Sequence, residues 1–192
     1  MRIGLFGGTF NPVHNGHIAL ASRAKAKLRL DKVIFIPAYF PVHKDAVEIA
    51  DSKDRLAMIE FAIEKQSGFE VSPYEIDKKE KVYSVETIRY FKDSYPQGTE
   101  IFFLAGADAL PGLNTWKDLD KIFTLCEFVI FTRPGFLMEN VLKQVIAVDM
   151  DEVDVSSIQI RERVIKDDPI SELVPFQVVD YIAKKNLYKH PR

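Results

Sequence analysis

The chain has 192 residues, 47% of them hydrophobic and 28% charged, which is typical of one soluble, enzyme-sized domain. A formal net charge of −2 argues against a protein that binds nucleic acids in general or a membrane surface. The single cysteine, Cys126, excludes an intrachain disulfide, and we expect it to be a buried strand residue because it lies in an apolar run.

Strand-like and helix-like apolar patterns alternate along the chain. In chain order they predict strand Ile3–Phe6, helix Ile18–Leu30, strand Val33–Pro37, helix Ser52–Lys65, an irregular strand Glu70–Tyr74, an exposed turn Asp77–Lys81, helix Ser84–Ser94, strand Glu100–Ala105, strand Phe128–Thr132, an acidic connector Asp149–Val155, and two terminal helices Ser156–Lys166 and Pro175–Lys185. Met1 precedes the first strand directly, without a leader pattern, and no apolar run is long enough to span a membrane. We therefore expect a cytoplasmic protein that binds neither membranes nor nucleic acids.

Repeated β-α-β units predict right-handed crossovers and an α/β fold with a Rossmann-like doubly wound parallel sheet. We predict a single domain over residues 1–192, with a Rossmann-like core over 1–150 and a small C-terminal helical extension over 151–192. In such a sheet, ligands bind beyond the carboxyl ends of the strands, near the point where the strand order reverses. The loops that follow the predicted strands should therefore share one site.

The segment after the first strand carries the densest chemistry of the chain. It runs from 7 to 17 and contains Gly7, Gly8, Thr9, Phe10, His14, Gly16 and His17. Backbone N–H groups and the positive end of a helix favour phosphate at such a strand-to-helix junction, and glycines let the backbone approach a nucleotide. The segment matches neither a P-loop nor a dinucleotide fingerprint. The alternative is a tight turn in which His14 caps the helix and His17 packs in the core.

Other loops are expected to bring charged and polar groups to the same edge of the sheet. These groups are Lys44, Gly106, Asp108 and Arg133. Near the C-terminus, Ser156 and Ser157 lie at a predicted helix start, where their hydroxyls can cap the helix and donate to phosphate. Arg161 follows one turn later, and its guanidinium suits bidentate phosphate contact. The alternative is an ordinary serine cap with Arg161 as a surface charge.

With these motifs assembled, the chain resembles the bacterial-type nicotinate-nucleotide adenylyltransferase family of the HxGH nucleotidylyltransferase superfamily. The resemblance covers nearly the whole chain, and the motifs that carry it are Gly7–His17, Pro37–Lys44, Tyr83–Thr87, Gly106–Asp108 with Trp116, and Ser156–Arg161. Two positions depart from the family pattern, since Val42 replaces a proline and Ile158 replaces a threonine. Neither departure touches His14 or His17, so we do not expect an inactive homologue.

The resemblance implies transfer of the adenylyl group of ATP to nicotinate mononucleotide, a step of NAD biosynthesis, without a covalent enzyme intermediate. It implies four catalytic side chains: His14, His17, Lys44 and Arg161. The implied ATP-binding residues are Gly7, Gly8, Thr9, Phe10, His14, Gly16, His17, Gly106, Asp108, Arg133, Ser156, Ser157 and Arg161. The implied residues for nicotinate mononucleotide are Lys44, Tyr83, Thr87, Asp108, Trp116 and Arg133. Mg²⁺ is expected to bind through ATP phosphates, without a dedicated protein metal site.

Several alternatives stay open at this level. Trp116 is expected to stack on the pyridine ring, but it can equally be a packing tryptophan. A preference for nicotinamide mononucleotide is open because amide and carboxylate differ by one atom and one charge. Pantetheine-phosphate adenylyltransferase is disfavoured by His14, Trp116 and the segment 83–87, and a non-catalytic nucleotide sensor is disfavoured by the intact motif. Homo-oligomerisation is also left open.

Overall fold

The computed structural model describes residues 1–40, 49–132, 144–149 and 155–189. The described strands form one parallel sheet of six strands in the order β3-β2-β1-β4-β5-β6. The strands are β1 Arg2–Gly8, β2 Lys32–Pro37, β3 Phe69–Val71, β4 Glu100–Gly106, β5 Glu127–Thr132 and β6 Val145–Asp149. The helices are α1 Asn15–Lys27, α2 Ser52–Ile63, α3 Tyr74–Lys78, α4 Ser84–Ser94, α5 Leu119–Leu125, α6 Ser157–Ile165 and α7 Phe176–Lys184, with a 3₁₀ helix over Ala107–Thr115.

The strand order reverses between β1 and β4. The chain builds β1, β2 and β3 towards one edge, returns to place β4 beside β1, and then extends to the other edge. The predicted Rossmann-like doubly wound parallel sheet is therefore confirmed. The carboxyl ends of β1 and β4 lie at this reversal, which is the place where such sheets bind ligands.

Alternate strand residues face opposite sides of the sheet and build two apolar layers. Phe35 of β2 and Leu104 of β4 lie in the layer that also takes side chains of α1, α2, α6 and α7. Ile34 and Phe103, their neighbours in sequence, lie in the layer covered by α4 and α5. Both terminal helices, α6 and α7, thus pack into the same apolar layer as α1 and α2. A single domain, as predicted, would have such a shared layer.

Two segments differ from the predicted pattern. The predicted strand over 70–74 ends at Val71, and Tyr74 begins α3, because Pro73 lacks the N–H that a strand ladder needs. The predicted turn over 77–81 begins inside α3, whose end is marked by the left-handed Lys79 (φ 55°). Its charged side chains are exposed, as predicted.

The second half of the sheet contains elements that the pattern did not predict. Strand β6 and helix α5 are both short, and β6 ends at Asp149, the residue at which the acidic connector was expected to begin. Residues 150–154 of that connector lie outside the described residues. Cys126 is buried as predicted, but it is the C-cap residue that follows α5 instead of a strand residue. Burial raises the pKa of its thiol to about 12. Within the described residues no helix is long and apolar enough to span a membrane.

Candidate functional site

The loop between β1 and α1 is fixed from within by an aromatic residue. Phe10 has a left-handed backbone (φ 50°), and its side chain is only 2% exposed. Its ring packs edge-on against Phe6 at a centroid distance of 5.3 Å and against His17 at 4.9 Å. A contact between Phe10 and ATP would therefore involve its main chain, because the ring belongs to the core.

Two glycines of the loop are required by packing inside the protein. A Cβ atom on Gly8 would lie 3.0 Å from Cζ of Phe10. A Cβ atom on Gly16 would lie 2.9 Å from Cγ1 of Val155 and 3.0 Å from Nδ1 of His14. A side chain at either position would therefore crowd Phe10 or His14.

The two imidazoles of the motif lie against each other at the start of α1. His14 is the N-cap residue, and its ring stacks on that of His17 with a centroid distance of 3.7 Å and an interplanar angle of 29°. The backbone N–H of His14 donates to Nδ1 of His17 over 3.2 Å. Since Nδ1 is the acceptor, a neutral His17 carries its hydrogen on Nε2.

His14 is neutral at physiological pH in the free protein. Its side chain is 7% exposed, and burial lowers its pKa from 6.5 to about 4. The alternative roles are thus partly present: His14 is the N-cap of α1, and the ring of His17 packs against the buried Phe10. They do not compete with a phosphate role, because the rings still lie at the helix end that favours anions.

Helix α6 docks on the motif loop. Ser156 caps it by accepting a hydrogen bond from the N–H of Gln159 over 3.2 Å. The Ser157 hydroxyl donates to the carbonyl of Pro12 over 3.0 Å, and Nη1 of Arg161 donates to the carbonyl of Asn11 over 3.0 Å. The structure therefore brings these residues to the loop that carries His14 and His17.

The neighbouring C-terminal segment is also anchored to this loop. The backbone N–H of Asn15 donates to the carbonyl of Leu173 over 2.9 Å, and its Nδ2 donates to the carbonyl of Glu172 over 3.0 Å. The Tyr188 hydroxyl donates to Oδ1 of Asn11 over 2.9 Å. Burial raises the pKa of the Tyr188 phenol, so that its hydrogen is retained for this bond.

The side chains expected to bind nicotinate lie on the other side of the sheet, around α4. The Thr87 side chain is 0% exposed, and its hydroxyl donates to Oε1 of Glu75 over 2.7 Å. Burial raises the pKa of this Glu75 carboxyl. Because its only hydroxyl hydrogen is engaged, a direct bond from the Thr87 hydroxyl to a substrate carboxylate requires that the Glu75 contact be broken.

Trp116 and Tyr83 are both half-buried. The indole of Trp116 packs edge-on against Phe103 at 5.9 Å and against Phe128 at 5.6 Å between ring centroids. The ring of Tyr83 carries Nζ of Lys117 4.3 Å from its centroid. Part of the Trp116 indole therefore packs in the core. Its exposed part is what a pyridine ring can contact.

The remaining predicted residues divide into two groups. Gly106 ends β4, which pairs with β1, the strand that precedes the motif loop. Asp108 lies in the 3₁₀ helix that follows β4. Lys44 and Arg133 lie outside the described residues, as does Val42. Ile158, where the family has threonine, is 60% exposed on α6.

Sequence reasoning missed Arg55, the largest fully buried side chain of the described residues. It lies on α2 at i, i+3, i+4 and i+7 spacing with apolar residues that are also buried: Met58, Ile59 and Ala62. That spacing was the available signal, because it places the guanidinium on the core-facing stripe of the helix. Asn11 and Tyr188 were likewise not proposed as site residues.

Metal-ligating clusters are absent from the part of the chain that the structure describes. No group of three or more His, Cys, Asp or Glu side chains lies close enough there to hold a metal ion. The site instead offers imidazoles, a guanidinium, hydroxyls and a helix N-terminus at the strand-order reversal. This donor set is suited to a polyphosphate.

Comparisons with known proteins agree with this geometry. The sequence model of the cytidylyltransferase-like family matches residues 5–163. A protein of Clostridium tetani named a probable nicotinate-nucleotide adenylyltransferase is 40% identical over 96% of this chain and 98% of its own length. One of Halalkalibacterium halodurans with the same name is 42% identical over 98% of this chain and 91% of its own.

Solved structures support the fold. The Plasmodium falciparum nicotinic acid mononucleotide adenylyltransferase complexed with NaAD superimposes with a TM-score of 0.79 and 19% identity, over 97% of each chain. The same enzyme complexed with APC gives a TM-score of 0.77 over 97% of this chain and 96% of that one. At this identity the likeness concerns the backbone architecture.

Proposed function

Since this chain belongs to the cytidylyltransferase-like family and, within it, to the nicotinate-nucleotide adenylyltransferases, we propose that it transfers the adenylyl group of ATP to nicotinate mononucleotide. The products are nicotinate adenine dinucleotide and pyrophosphate, in a step of NAD biosynthesis. The observation that carries the proposal is the docking of α6 on the loop that presents His14 and His17, at the reversal of the strand order.

The reaction is an in-line displacement at phosphorus. An oxygen of the 5′-phosphate of nicotinate mononucleotide forms a bond to the α-phosphorus of ATP, and the bond from that phosphorus to the bridging oxygen breaks. The electron pair leaves with pyrophosphate. Because the attacking phosphate is already anionic, no protein nucleophile or strong general base is needed, and catalysis consists of positioning and charge stabilisation.

The described residues supply donors for that charge. The Nε2 hydrogen of His17, the buried imidazole of His14 and the N-terminus of α1 are proposed to contact the ATP phosphates. Arg161 adds a positive charge beside them, with Ser156 and Ser157 at the start of the same helix. Lys44 and Arg133 are proposed for the same phosphates from their place in the sequence motifs.

We propose Mg²⁺ as the metal that accompanies ATP, held by phosphate oxygens and water. The donor set at the loop fits this arrangement, since it is cationic or neutral and lacks a carboxylate cluster among the described residues. Bound there, Mg²⁺ supplies neutralisation of phosphate charge. A cytoplasmic location is proposed as well.

For the nicotinate moiety we propose the surface formed by Trp116, Tyr83 and the start of α4. The half-buried indole offers a plane for the pyridine ring, and the Lys117 ammonium, which is paired with the Glu86 carboxylate over 2.9 Å, lies over the ring of Tyr83. Asp108 is proposed to accept from a ribose hydroxyl. The Thr87 hydroxyl is proposed to donate to the nicotinate carboxylate, which requires that it leave Glu75 when the substrate binds.

The deciding experiment is pyrophosphate release with Mg-ATP, comparing nicotinate mononucleotide and nicotinamide mononucleotide at equal concentrations. A strong preference for the acid is the expected result. Equal use of the two mononucleotides would indicate a dual-specificity enzyme. Turnover with phosphopantetheine in place of either mononucleotide would indicate a pantetheine-phosphate adenylyltransferase. Binding of ATP without any turnover would leave a nucleotide sensor.

A further inference from the structure

Arg55 lies on α2 but is bonded to segments outside that helix. Its side chain is 1% exposed. Nη1 donates to the carbonyl of Thr9 over 2.7 Å, and Nη2 donates to the carbonyl of Ala38 over 2.7 Å and to that of Tyr39 over 3.3 Å. Nε donates to the carbonyl of Ala50 over 3.0 Å. One guanidinium thus joins three separate stretches of backbone.

Two of these stretches are the carboxyl ends of adjacent strands. The pairing of β1 with β2 ends at Gly8 opposite Pro37, and the N–H of Ala38 still donates to the carbonyl of Gly8 over 2.9 Å. The carbonyls of Thr9 and Ala38 come next along each chain, where the two backbones separate. Arg55 donates hydrogen bonds to both carbonyls. Its side chain therefore links the two backbones just beyond the last hydrogen bond between the strands.

The two backbones lead to different parts of the proposed site. Thr9 is followed by Phe10 and the loop that carries His14 and His17. Tyr39 leads into residues 41–48, which lie outside the described residues and include Lys44. Arg55 therefore joins the two backbones at the point from which these loops begin.

The bonding of Arg55 favours a role in positioning over a role in stability. A buried guanidinium must give up hydration, and an apolar residue of similar volume often stabilises a protein as well or better. Burial also lowers the pKa of Arg55, although an arginine stays charged at neutral pH. Its planar fork, however, spans carbonyls of two strands at once, which an apolar side chain or a single ammonium cannot do.

We propose that Arg55 is a positioning residue for the adenylyl transfer, which fixes the loop of His14 and His17 relative to the backbone of Ala38 and Tyr39 at the end of β2. The proposal rests on the proposed function, because its effect is on the geometry of that reaction. A displacement of about 1 Å at a reacting centre lowers a rate by about 100-fold. Loss of the guanidinium is therefore expected to lower kcat more than it raises KM for nicotinate mononucleotide.

The test compares Arg55→Met and Arg55→Lys with Met58→Ala as the matched control. Met58 lies on the same buried stripe of α2, is 0% exposed and belongs to the same apolar layer. Melting temperature, kcat and KM are measured for each, with kinetics run well below the lowest melting temperature. Arg55→Met is expected to lose about 100-fold in kcat and Arg55→Lys less, whereas Met58→Ala keeps kcat within about threefold although the cavity it leaves lowers its melting temperature.

A second readout follows the loop itself. The chain has four histidines, so the imidazole NMR signals of His14 and His17 are readily assigned. Both are expected to shift in Arg55→Lys and to stay in place in Met58→Ala. The proposal is overturned if Arg55→Met keeps kcat within about threefold, if Met58→Ala loses as much as Arg55→Met, or if the imidazole signals do not move. If Arg55→Met does not fold, Arg55→Lys takes its place in each comparison.

This design separates the two proposals. A wild-type protein that turns over neither pyridine mononucleotide contradicts the proposed function, and the NMR signals still decide whether Arg55 positions the loop. A wild-type protein that is active, with Arg55 variants that are equally active, contradicts the role of Arg55 alone.

Discussion

The imidazole of His14 is neutral in the folded protein because it is removed from water at the start of α1. Its pKa is lowered to about 4 by burial, from the value of 6.5 that an exposed histidine has. Below pH 6.5 the unfolded chain therefore takes up a proton that the folded chain does not. The contribution of neutral His14 to stability is present above pH 6.5 and is lost as the pH falls towards 4.

Replacing His14 by glutamine should remove this part of the acid destabilisation. The gap between the free energies of unfolding of wild type and His14→Gln should change in favour of the variant by up to about 3 kcal/mol between pH 7 and pH 4. Urea denaturation at a series of pH values measures it. A non-titrating control, Ser157→Ala, should run parallel to wild type, and a parallel curve for His14→Gln would contradict the prediction.

Trp116 combines packing with its proposed stacking role, so its two functions must be separated by the choice of variant. Its indole contacts Phe103 and Phe128 edge-on and is half-buried. Trp116→Phe keeps an aromatic plane, whereas Trp116→Ala removes it. Both variants lose part of the packing.

Trp116→Ala should raise KM for nicotinate mononucleotide by about 10-fold, since an aromatic contact contributes about 0.5–1.5 kcal/mol beyond its area. Trp116→Phe should recover most of that affinity, and KM for ATP should stay nearly constant in both. Steady-state kinetics with each substrate varied in turn make the measurement. An unchanged KM for the mononucleotide in Trp116→Ala would rule out stacking.

At the scale of elements, α6 is the part that connects the C-terminal extension to the motif loop that carries His14 and His17. Its N-cap is Ser156, which is exposed, and the next residue, Ser157, bonds to the loop carbonyl of Pro12. The cap and any phosphate contact of Ser156 use the same hydroxyl. A carboxylate at this position keeps the capping acceptor but adds a negative charge.

Ser156→Ala should cost about 1 kcal/mol in the free energy of unfolding, because the cap to the N–H of Gln159 is lost. Ser156→Asp should retain the stability of wild type and raise KM for ATP, since its charge repels the phosphates. Thermal unfolding and ATP kinetics on the two variants make the comparison. If Ser156→Asp binds ATP as well as wild type does, the side chain lies away from the phosphates.

At the scale of the whole molecule, the helices at the two ends of the chain share one apolar layer. Ile160 of α6 and Val178 of α7 are buried in the same cluster as Phe35 of β2 and Met58 of α2. The Tyr188 hydroxyl and the carbonyls of residues 172 and 173 are bonded to the motif loop. The described part of the extension, residues 155–189, therefore contributes both to the core and to the candidate site.

We predict that the chain unfolds in one cooperative transition and that residues 1–155 alone do not form the native core. Removal of α6 and α7 uncovers apolar side chains on one face of the sheet, which lowers stability and exposes the layer to solvent. Scanning calorimetry of the full chain should give equal calorimetric and van't Hoff enthalpies. A truncated chain that melts cooperatively near the wild-type temperature would show two separate units.

Local features of the fold were predictable because they depend on residues close in sequence. The buried strands appear as short apolar runs, and the start of α6 appears as a pair of serines, of which Ser156 is the N-cap. The short edge strand β6 was missed, because five residues without a clear period-two pattern do not differ from a loop. The end of β3 was predicted at Tyr74 instead of Val71, because Pro73 was not treated as a residue that ends a strand.

The sequence by itself determined the doubly wound parallel sheet and the chemical kind of the site, since both follow from periodicity and from motifs whose residues are near neighbours. Only the tertiary structure decided that Arg161 and Ser157 bond to carbonyls 150 and 145 residues away, that the Thr87 hydroxyl is bonded to Glu75, and that Arg55 donates to Thr9 and Ala38. The apolar spacing of α2 places Arg55 on the core-facing stripe, but it does not identify the groups that its guanidinium meets there. Those groups are backbone carbonyls of distant segments, and their distances to the guanidinium exist only once the chain has folded.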